Sequence, residues 1–353
     1  MENQQTSLKP APRQTGHFRW PLRRRVQLVF FILTLAVGVQ FAIFVFQAGE
    51  LSAITVQRPP GVEGFLPIGA LMGFKLFFTT GTWDPVHPAA MVILGFAALI
   101  SFGLRKSFCG WVCPVGTLSE WMWQLGQRWF GRNFRLPIWA DYLLRAVKYV
   151  LLGFFVWAIL KMDRATIEVF IHSPYYQMSD VKMLHFFTRM TAFTAGVLIF
   201  LIAVSVFIKN FWCRYLCPYG ALMGILAFFG PTRIRRHADN CIHCGKCARQ
   251  CPYNLPVDQK TKIFSPECSG CMECVRVCPV PNTLELKTFG LWQTVWSTAS
   301  VAVVILGLFF GSIYLARVTG HWQGNVKYDA FRLRLKQVDG PGKISSGIRG
   351  QSQ

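Results

Sequence analysis

CIHCGKCARQCP (residues 241–252) and CSGCMECVRVCP (residues 268–279) share one spacing, C-x2-C-x2-C-x3-C-P. The spacing has a chemical reason. A [4Fe–4S] cubane needs four thiolates around it, and a tight loop delivers three of them from one short stretch. The fourth, the Cys before Pro, serves the other cluster. One cluster is therefore expected on Cys241, Cys244, Cys247 and Cys278, the other on Cys268, Cys271, Cys274 and Cys251. Small residues such as Gly245 and Gly270 let the backbone wrap closely. Structural zinc usually takes two C-x2-C pairs and leaves the third and fourth Cys of each run unexplained. Disulfides do not suit the reducing side of a membrane.

The chain has 12 Cys, so four remain. They form two C-x3-C-P pairs: Cys109 and Cys113 in SFCGWVCPVGTL (107–118), Cys213 and Cys217 in FWCRYLCPYGAL (211–222). The offset is a constant 104 residues, and Pro114, Gly116, Leu118 and Gly126 map onto Pro218, Gly220, Leu222 and Gly230. This is an internal repeat, and parallel repeats imply a pseudo-two-fold axis along the membrane normal. Proline favours the first position of a helix, which puts Cys113 and Cys217 at helix N-termini. A helix over 114–130 would carry Leu118, Trp121, Met122 and Leu125 on one face, as an interfacial helix does. Three readings of the four thiols stand at this point. They form a metal or cluster site, or redox-active dithiols, or reduced cysteines with a packing or quinone-site role.

The rest of the 353 residues is 52% hydrophobic, concentrated in blocks. Residues 26–48, 86–104, 191–208 and 290–316 are charge-free and long enough to read as transmembrane helices. Residues 142–160 make a fifth span, with Arg145 and Lys148 reaching the interface from one end. Residues 65–82 are broken by Pro67, glycines and Lys75, and read as a re-entrant or interfacial helix rather than a sixth span. The net charge of +21 reads as positive-inside charge, not as a nucleic-acid surface. Arg23, Arg24, Arg25, Arg105, Lys106, Lys209, Arg214, Arg233 and Arg236 flank the spans on one side.

The expected fold is an α-helical polytopic membrane protein, with five transmembrane helices as two tandem hairpins plus one. It carries a small cytoplasmic α+β module of the bacterial two-cluster ferredoxin type. The expected segments are a disordered basic tail (1–25), a first hairpin repeat (26–131) and a second (142–235). The ferredoxin domain (236–288), a fifth helix (289–316) and a basic periplasmic tail (317–353) follow. The expected site is a bacterial inner membrane, crossed several times, with the N-terminus on the cytoplasmic side.

The motifs FCGWVCPVG, FWCRYLCPYG, CIHCGKCARQCP and CSGCMECVRVCP together resemble the polytopic membrane ferredoxins. These include NapH, the membrane half of NosR, and CcoG. The layout is most similar to the YccM-like electron transport proteins. The resemblance implies electron transfer between the quinone pool and a protein redox partner, and for a NapH-like chain quinol oxidation. A CcoG-like role would instead imply copper bound by the C-x3-C-P thiols, in assembly of a respiratory enzyme. The span 290–316 and its tail depart from NapH, and residues 317–353 are too few for the immunoglobulin-like domain of CcoG. No Walker loop or dinucleotide fingerprint is present. For a quinone, Asp84 and His87 in TGTWDPVHP (80–88) are candidates, since His titrates near neutral pH. The alternative is a structured loop with Trp83 as an interface anchor.

Overall fold

The computed structural model describes residues 21–50, 55–289, 293–326 and 328–339. The first repeat holds α1 (Leu22–Gly49), α2 (Pro67–Thr80), α3 (Pro88–Gly103) and α4 (Pro114–Phe130). The second holds α5 (Ile138–Lys161), short α6 (Arg164–Ile171), α7 (Pro174–Gln177) and α8 (Ser179–Thr188), then α9 (Ala192–Phe207) and α10 (Pro218–Phe229). A small module follows, with β1 (Thr232–Arg236), α11 (Lys246–Gln250), α12 (Glu273–Arg276), β2 (Leu284–Thr288) and β3 (Val295–Trp296). Helices α13 (Thr298–Val318) and α14 (Tyr328–Asp339) come last.

Among the described residues, three helices are long and apolar enough to cross a membrane: α1, α5 and α13. Helices α8 and α9 meet at an 80° bend and make a fourth span only if taken as one. Helix α3 has 16 residues, about 24 Å, short of the ~30 Å hydrocarbon core. The runs 86–104 and 191–208 thus overstate their helices, because a charge-free run also counts the residues that cap and turn. Segment 65–82 contains α2, a 14-residue helix packed on α3. Helix α1 begins at Leu22, so Arg23, Arg24 and Arg25 belong to its first turn and not to a tail. Residues 1–20 and 340–353, expected as parts of the two tails, lie outside the described residues, as do 290–292.

The outer faces are what lipid requires. Val29, Leu35, Phe154, Trp157, Phe200 and Phe310 are each more than half exposed. An apolar surface of that kind marks a membrane or a partner. Helix α4 turns its Leu118 and Leu125 outward and buries Gly116, Thr117, Ser119 and Glu120 instead.

The two repeats complete each other. Helix α4 packs on α9 of the other repeat, and α10 packs on α3. A Cβ on Gly126 would lie 1.9 Å from the Val206 carbonyl oxygen, and a Cβ on Gly230 would lie 1.9 Å from that of Phe102. Gly230 is Gly126 plus 104, and Val206 is Phe102 plus 104. Each contact is therefore the image of the other, the signature of an isologous interface. Only glycine allows so close an approach.

Helix α14 tucks Phe331 and Leu335 against Phe41, Phe44 and Ala48, near the last turns of α1. Arg23, in the first turn, reaches Glu273 of the module. With 28 residues in α1, about 42 Å separates the two ends. Helix α14 and the module thus stand at opposite ends of the bundle.

Gly126→Ala and Gly230→Ala should each lower the thermal midpoint of the detergent-solubilised protein, at a cost of about 1–3 kcal/mol or more. Gly153→Ala meets open space and should leave the midpoint unchanged or raised. Equal behaviour of all three would remove the reciprocal packing as the glue between repeats.

Candidate metal centre

The module is a three-stranded antiparallel sheet in the order β1-β2-β3, with Ile234 paired to Leu286 and both buried. Its first strand starts at Thr232, four residues before the boundary expected at 236, because β1 pairs along its whole length with β2. The two cysteine loops share one backbone. The third position of each is left-handed, His243 (φ 52°) and Gly270 (φ 59°), and so is the fifth, Gly245 (φ 66°) and Met272 (φ 57°). Two such residues curl the chain around a centre, and non-glycine residues hold that conformation at a cost.

Each loop curls around a small cavity. Cys251, Cys268, Cys271 and Cys274 line one, with Ile234, Tyr253 and Ile263 in its wall. Cys241, Cys244, Cys247 and Cys278 line the other, with Pro279 and Leu284. The structure thus gathers the same two crossed sets that the spacing predicts. Four thiols in an apolar wall fit an iron–sulfur cluster. The Leu255 N–H points at Cys251 Sγ at 3.4 Å, the kind of bond that tunes such a centre. Among the described residues, no three His, Cys, Asp or Glu side chains are gathered to hold a single ion. A cubane spreads its ligands around eight atoms, so wider spacing suits it. The set with Cys251 is the more buried, and the set with Cys241 is the more exposed.

The basic residues expected as water-facing flanks are mostly buried against this module. Arg23 donates to Gly110 O at 3.0 Å and pairs with Glu120 and Glu273. Arg105 donates to Ala227 O (2.7 Å) and to Ser265 O. Lys209 donates to Arg249 O (2.6 Å) and Arg214 to Tyr253 O (2.7 Å). Trp111 Nε1 donates to Gly270 O at 3.2 Å. Positive charge at the helix ends thus reads backbone carbonyls of the module. Lys148 does not snorkel. It is fully buried on α5 and pairs with Glu267 at 2.5 Å. Glu267 pairs on its other oxygen with Lys106 at 3.3 Å. Burial opposes ionisation of Glu267, yet the two lysines hold its carboxyl down to about 2.

The four remaining cysteines converge. Each pair sits on a π-helical turn, Phe108–Val112 and Trp212–Leu216, closed by Cys113 N–H to Phe108 O and Cys217 N–H to Trp212 O. Wide turns of this kind recur at functional sites. Cys113 and Cys217 precede α4 and α10, at the helix N-termini expected. The helix ends do not win the protonation contest: burial pushes Cys113 up to about 11 and raises Cys109, Cys213 and Cys217 as well, against backbone N–H bonds at Cys113 and Cys217. All four line the inner end of one cavity of about 1270 Å³. Lys106 and Tyr219 share that end, Phe30, Ile93 and Phe309 line the middle, and Arg58 and Trp322 stand far from the thiols.

Asp84 and His87 lie elsewhere. Asp84 accepts from Val86 N–H (2.8 Å) and Tyr176 O–H (2.5 Å). His87 Nε2 lies 2.9 Å from Tyr176 O, and Nδ1 lies 3.3 Å from Glu63. Both side chains are buried, and neither lines the cavity. Arg58, 3.2 Å from His87 Nδ1, is their link to it.

Residues 86–137 and 191–237 match a family described as a 4Fe-4S binding domain, and residues 233–279 match a 4Fe-4S dicluster domain. The chain is 42% identical over 354 residues to the "Putative electron transport protein YccM" of Escherichia coli (strain K12), covering 96% of this chain and 98% of that one. It belongs to the membrane ferredoxin-type electron transport family. This membrane ferredoxin is also 27% identical over 254 residues to the methylamine utilization ferredoxin-type protein MauN of Methylorubrum extorquens, covering 67% of this chain and 75% of MauN. It is 29% identical over 226 residues to protein NirI of Paracoccus denitrificans, covering 62% of this chain and 32% of NirI. No solved structure matches it. The membrane ferredoxin is thus an iron–sulfur electron-transfer protein of a membrane.

Sequence reasoning missed Glu267, Tyr253 and the pairing of Lys148. The available signal was a lysine inside an apolar run, which demands a buried partner. Glu267→Gln in the membrane ferredoxin should cost about 3–5 kcal/mol by leaving two buried lysines without their carboxylate. The readout is a lower thermal midpoint and faster proteolysis of residues 232–289. Because its folded pKa is depressed, the Glu267 contribution is complete above the ordinary carboxyl range near pH 4.3. It fades as the pH falls through about 2.

Proposed function

We propose that this membrane ferredoxin carries electrons between the membrane quinone pool and a protein redox partner through two [4Fe–4S] clusters. One is held by Cys241, Cys244, Cys247 and Cys278, the other by Cys251, Cys268, Cys271 and Cys274. A bound cluster supplies one-electron chemistry, which the protein tunes by burial and hydrogen bonds.

One observation carries the reading. The more buried thiol set is pressed against the bundle where the large apolar cavity begins. Tyr253 lines the small cavity of that set, and Lys106, 4.8 Å above the Tyr253 ring, lines the large one. Redox site and membrane cavity therefore share a wall. The large cavity has apolar and aromatic sides, with Lys106, Arg58 and Arg317 as the cations in its lining. That chemistry suits an amphipathic ring with an isoprenoid tail, which enters from lipid and places its polar head beside a charge. Its placement supports the cavity, rather than Asp84 and His87, as the quinone site. The more exposed set, around Cys241 and Cys244, would then face the protein partner.

The same reading orients the chain. The module and the start of α1 lie on the cytoplasmic side of a bacterial inner membrane, and α14 lies on the outer side. Support comes from the opposite ends that Arg23 and Phe331 occupy along α1, together with the basic flanks. Five crossings would need α3 and α9, each 16 residues, to span with the help of their loops.

Anaerobic addition of reduced quinol to the membrane-embedded holoprotein should produce the EPR signals of reduced clusters. Unchanged spectra would reject the quinone pool as donor. The ligand crossing has its own test. Cys251→Ser should leave the same residual spectrum as Cys271→Ser, and a different one from Cys244→Ser. A match with Cys244→Ser instead would mean uncrossed sets.

A further inference from the structure

We infer that the quinone head is held on one side of the pseudo-two-fold axis, hydrogen-bonded by the Tyr219 hydroxyl with the Lys106 ammonium beside it. The inference deepens the electron-transfer reading and rests on it for the quinone.

The starting point is where the two repeats differ. The cavity wall around the thiols is built largely in image pairs. Phe108 and Trp212 line it, as do Pro114 and Pro218 and both cysteine pairs, each at the 104-residue offset. A fully symmetric wall would offer a flat ring two equivalent poses. Two departures remove that equivalence. Val115 and Tyr219 are images, each the second residue of its helix, and both line the cavity. Only Tyr219 brings a hydrogen-bonding group. Lys106 lines the cavity too, whereas its image Asn210 donates to Pro252 O of the module at 3.4 Å.

The two polar groups stand together. The Tyr219 ring meets Phe108 edge-on at 5.5 Å, two residues along the chain from Lys106. Cys109 lies within electrostatic reach of both.

The Tyr219 hydroxyl is also without an occupation in the fold. A tyrosine hydroxyl taken from water ordinarily finds a partner. Tyr176 donates to Asp84 at 2.5 Å and Tyr215 to Asp141 at 2.6 Å. Tyr219 is half-buried, and among the described residues its hydroxyl makes no hydrogen bond. A ligand carbonyl in the cavity supplies the missing acceptor, and a quinol hydroxyl can donate to the same oxygen. Lys106 is tied to Glu267 at 3.3 Å, but an ammonium has three N–H donors, so others remain for the ligand.

The wall leads a ring to this place. Phe30, Phe309, Phe96, Phe108 and Tyr219 make a continuous run of edge-on contacts, 5.0, 5.3, 6.3 and 5.5 Å between centroids. The position along the membrane normal fits as well. Gln27 donates to Gly110 O, next to Cys109, and Gln40 donates to Gln57 O, next to Arg58. From Gln27 to Gln40 the helix rises about 20 Å. Gly110 also abuts Ser269 of the module, so a ring at Tyr219 is near the buried thiol set and a ring at Arg58 is not.

The test is equilibrium binding of oxidised decylubiquinone to the full-length, cluster-loaded protein in detergent, read from quenching of tryptophan fluorescence. Trp212 in the cavity wall is a reporter. Tyr219→Phe keeps the ring and removes only the hydroxyl, and should weaken binding roughly two- to tenfold. Decylbenzene, which has the tail and ring but no carbonyl, should bind wild type and variant alike. Val115→Tyr added to Tyr219→Phe should not restore the affinity, because no cation accompanies the image position. Unchanged decylubiquinone affinity in Tyr219→Phe overturns the inference. So does an equal loss for both ligands, which would mean a structural role, and so does full rescue by Val115→Tyr. In each of those cases quinol can still reduce the clusters, and the quinone reading stands. A wild type that binds no decylubiquinone rejects that reading and this inference with it.

Discussion

One carboxylate holds three parts of the molecule together. Glu267 comes from the loop before the second cysteine motif, Lys106 from the end of the first repeat, and Lys148 from the middle of α5 in the second. All three side chains are almost fully buried. Two ammonium groups and one carboxylate out of water have a large desolvation cost, and only close, fixed contacts offset it. The geometry leaves little freedom: if the module rotated, one of the lysines would lose its partner. The orientation of the buried thiol set against the bundle follows from this constraint. Arg105 and Arg214 add further fixed points by donating to module carbonyls, and Arg23 by pairing with the Glu273 carboxylate.

Much of this was legible in the sequence, and for identifiable reasons. The spacing of Cys241 to Cys278 is set by cluster chemistry, so the two crossed sets around two cavities are where local pattern puts them. The 104-residue offset foretold paired turns and a pseudo-two-fold relation. What the sequence hid was long-range. Lys148 looked like an interfacial residue because nothing near it in sequence is acidic, and its partner lies 119 positions away. Basic residues at span ends can serve a membrane rule or a docking role, and composition cannot separate the two. Helix α4 turns its apolar stripe outward, as an interfacial helix does, and packs through its small and polar face. Span counts erred because uncharged length includes caps and turns. Asp84 and His87 stood out as titratable residues in a loop, and only the fold reveals their partners: Tyr176 for both, and Glu63 and Arg58 for His87.

The architecture also separates duties along the membrane normal. Near the module, buried charge and thiols are dense. In the middle, α1, α3 and α13 offer mostly apolar and aromatic surface, with Thr34 and Gln40 of α1 as polar exceptions. At the far end, Arg58, Glu63, Asp180 and His87 form a second buried polar knot. The large cavity runs from one polar zone toward the other. A ligand inside it would meet Lys106 beside the thiols and Arg58 and Arg317 elsewhere in the lining.

The reciprocal contacts of Gly126 and Gly230 carry a consequence for biosynthesis. A nascent chain emerges from its N-terminus, so Gly126 is made before Val206, the backbone it must touch. Until α9 is inserted, α4 has only α1 and its own preceding turn to lie against, and the first C-x3-C-P turn has no counterpart opposite. The module is later still, and its last cysteine, Cys278, follows almost four-fifths of the chain. The first repeat therefore waits in the bilayer as an unfinished half. Its image contacts close only once the second repeat has arrived, and the module follows.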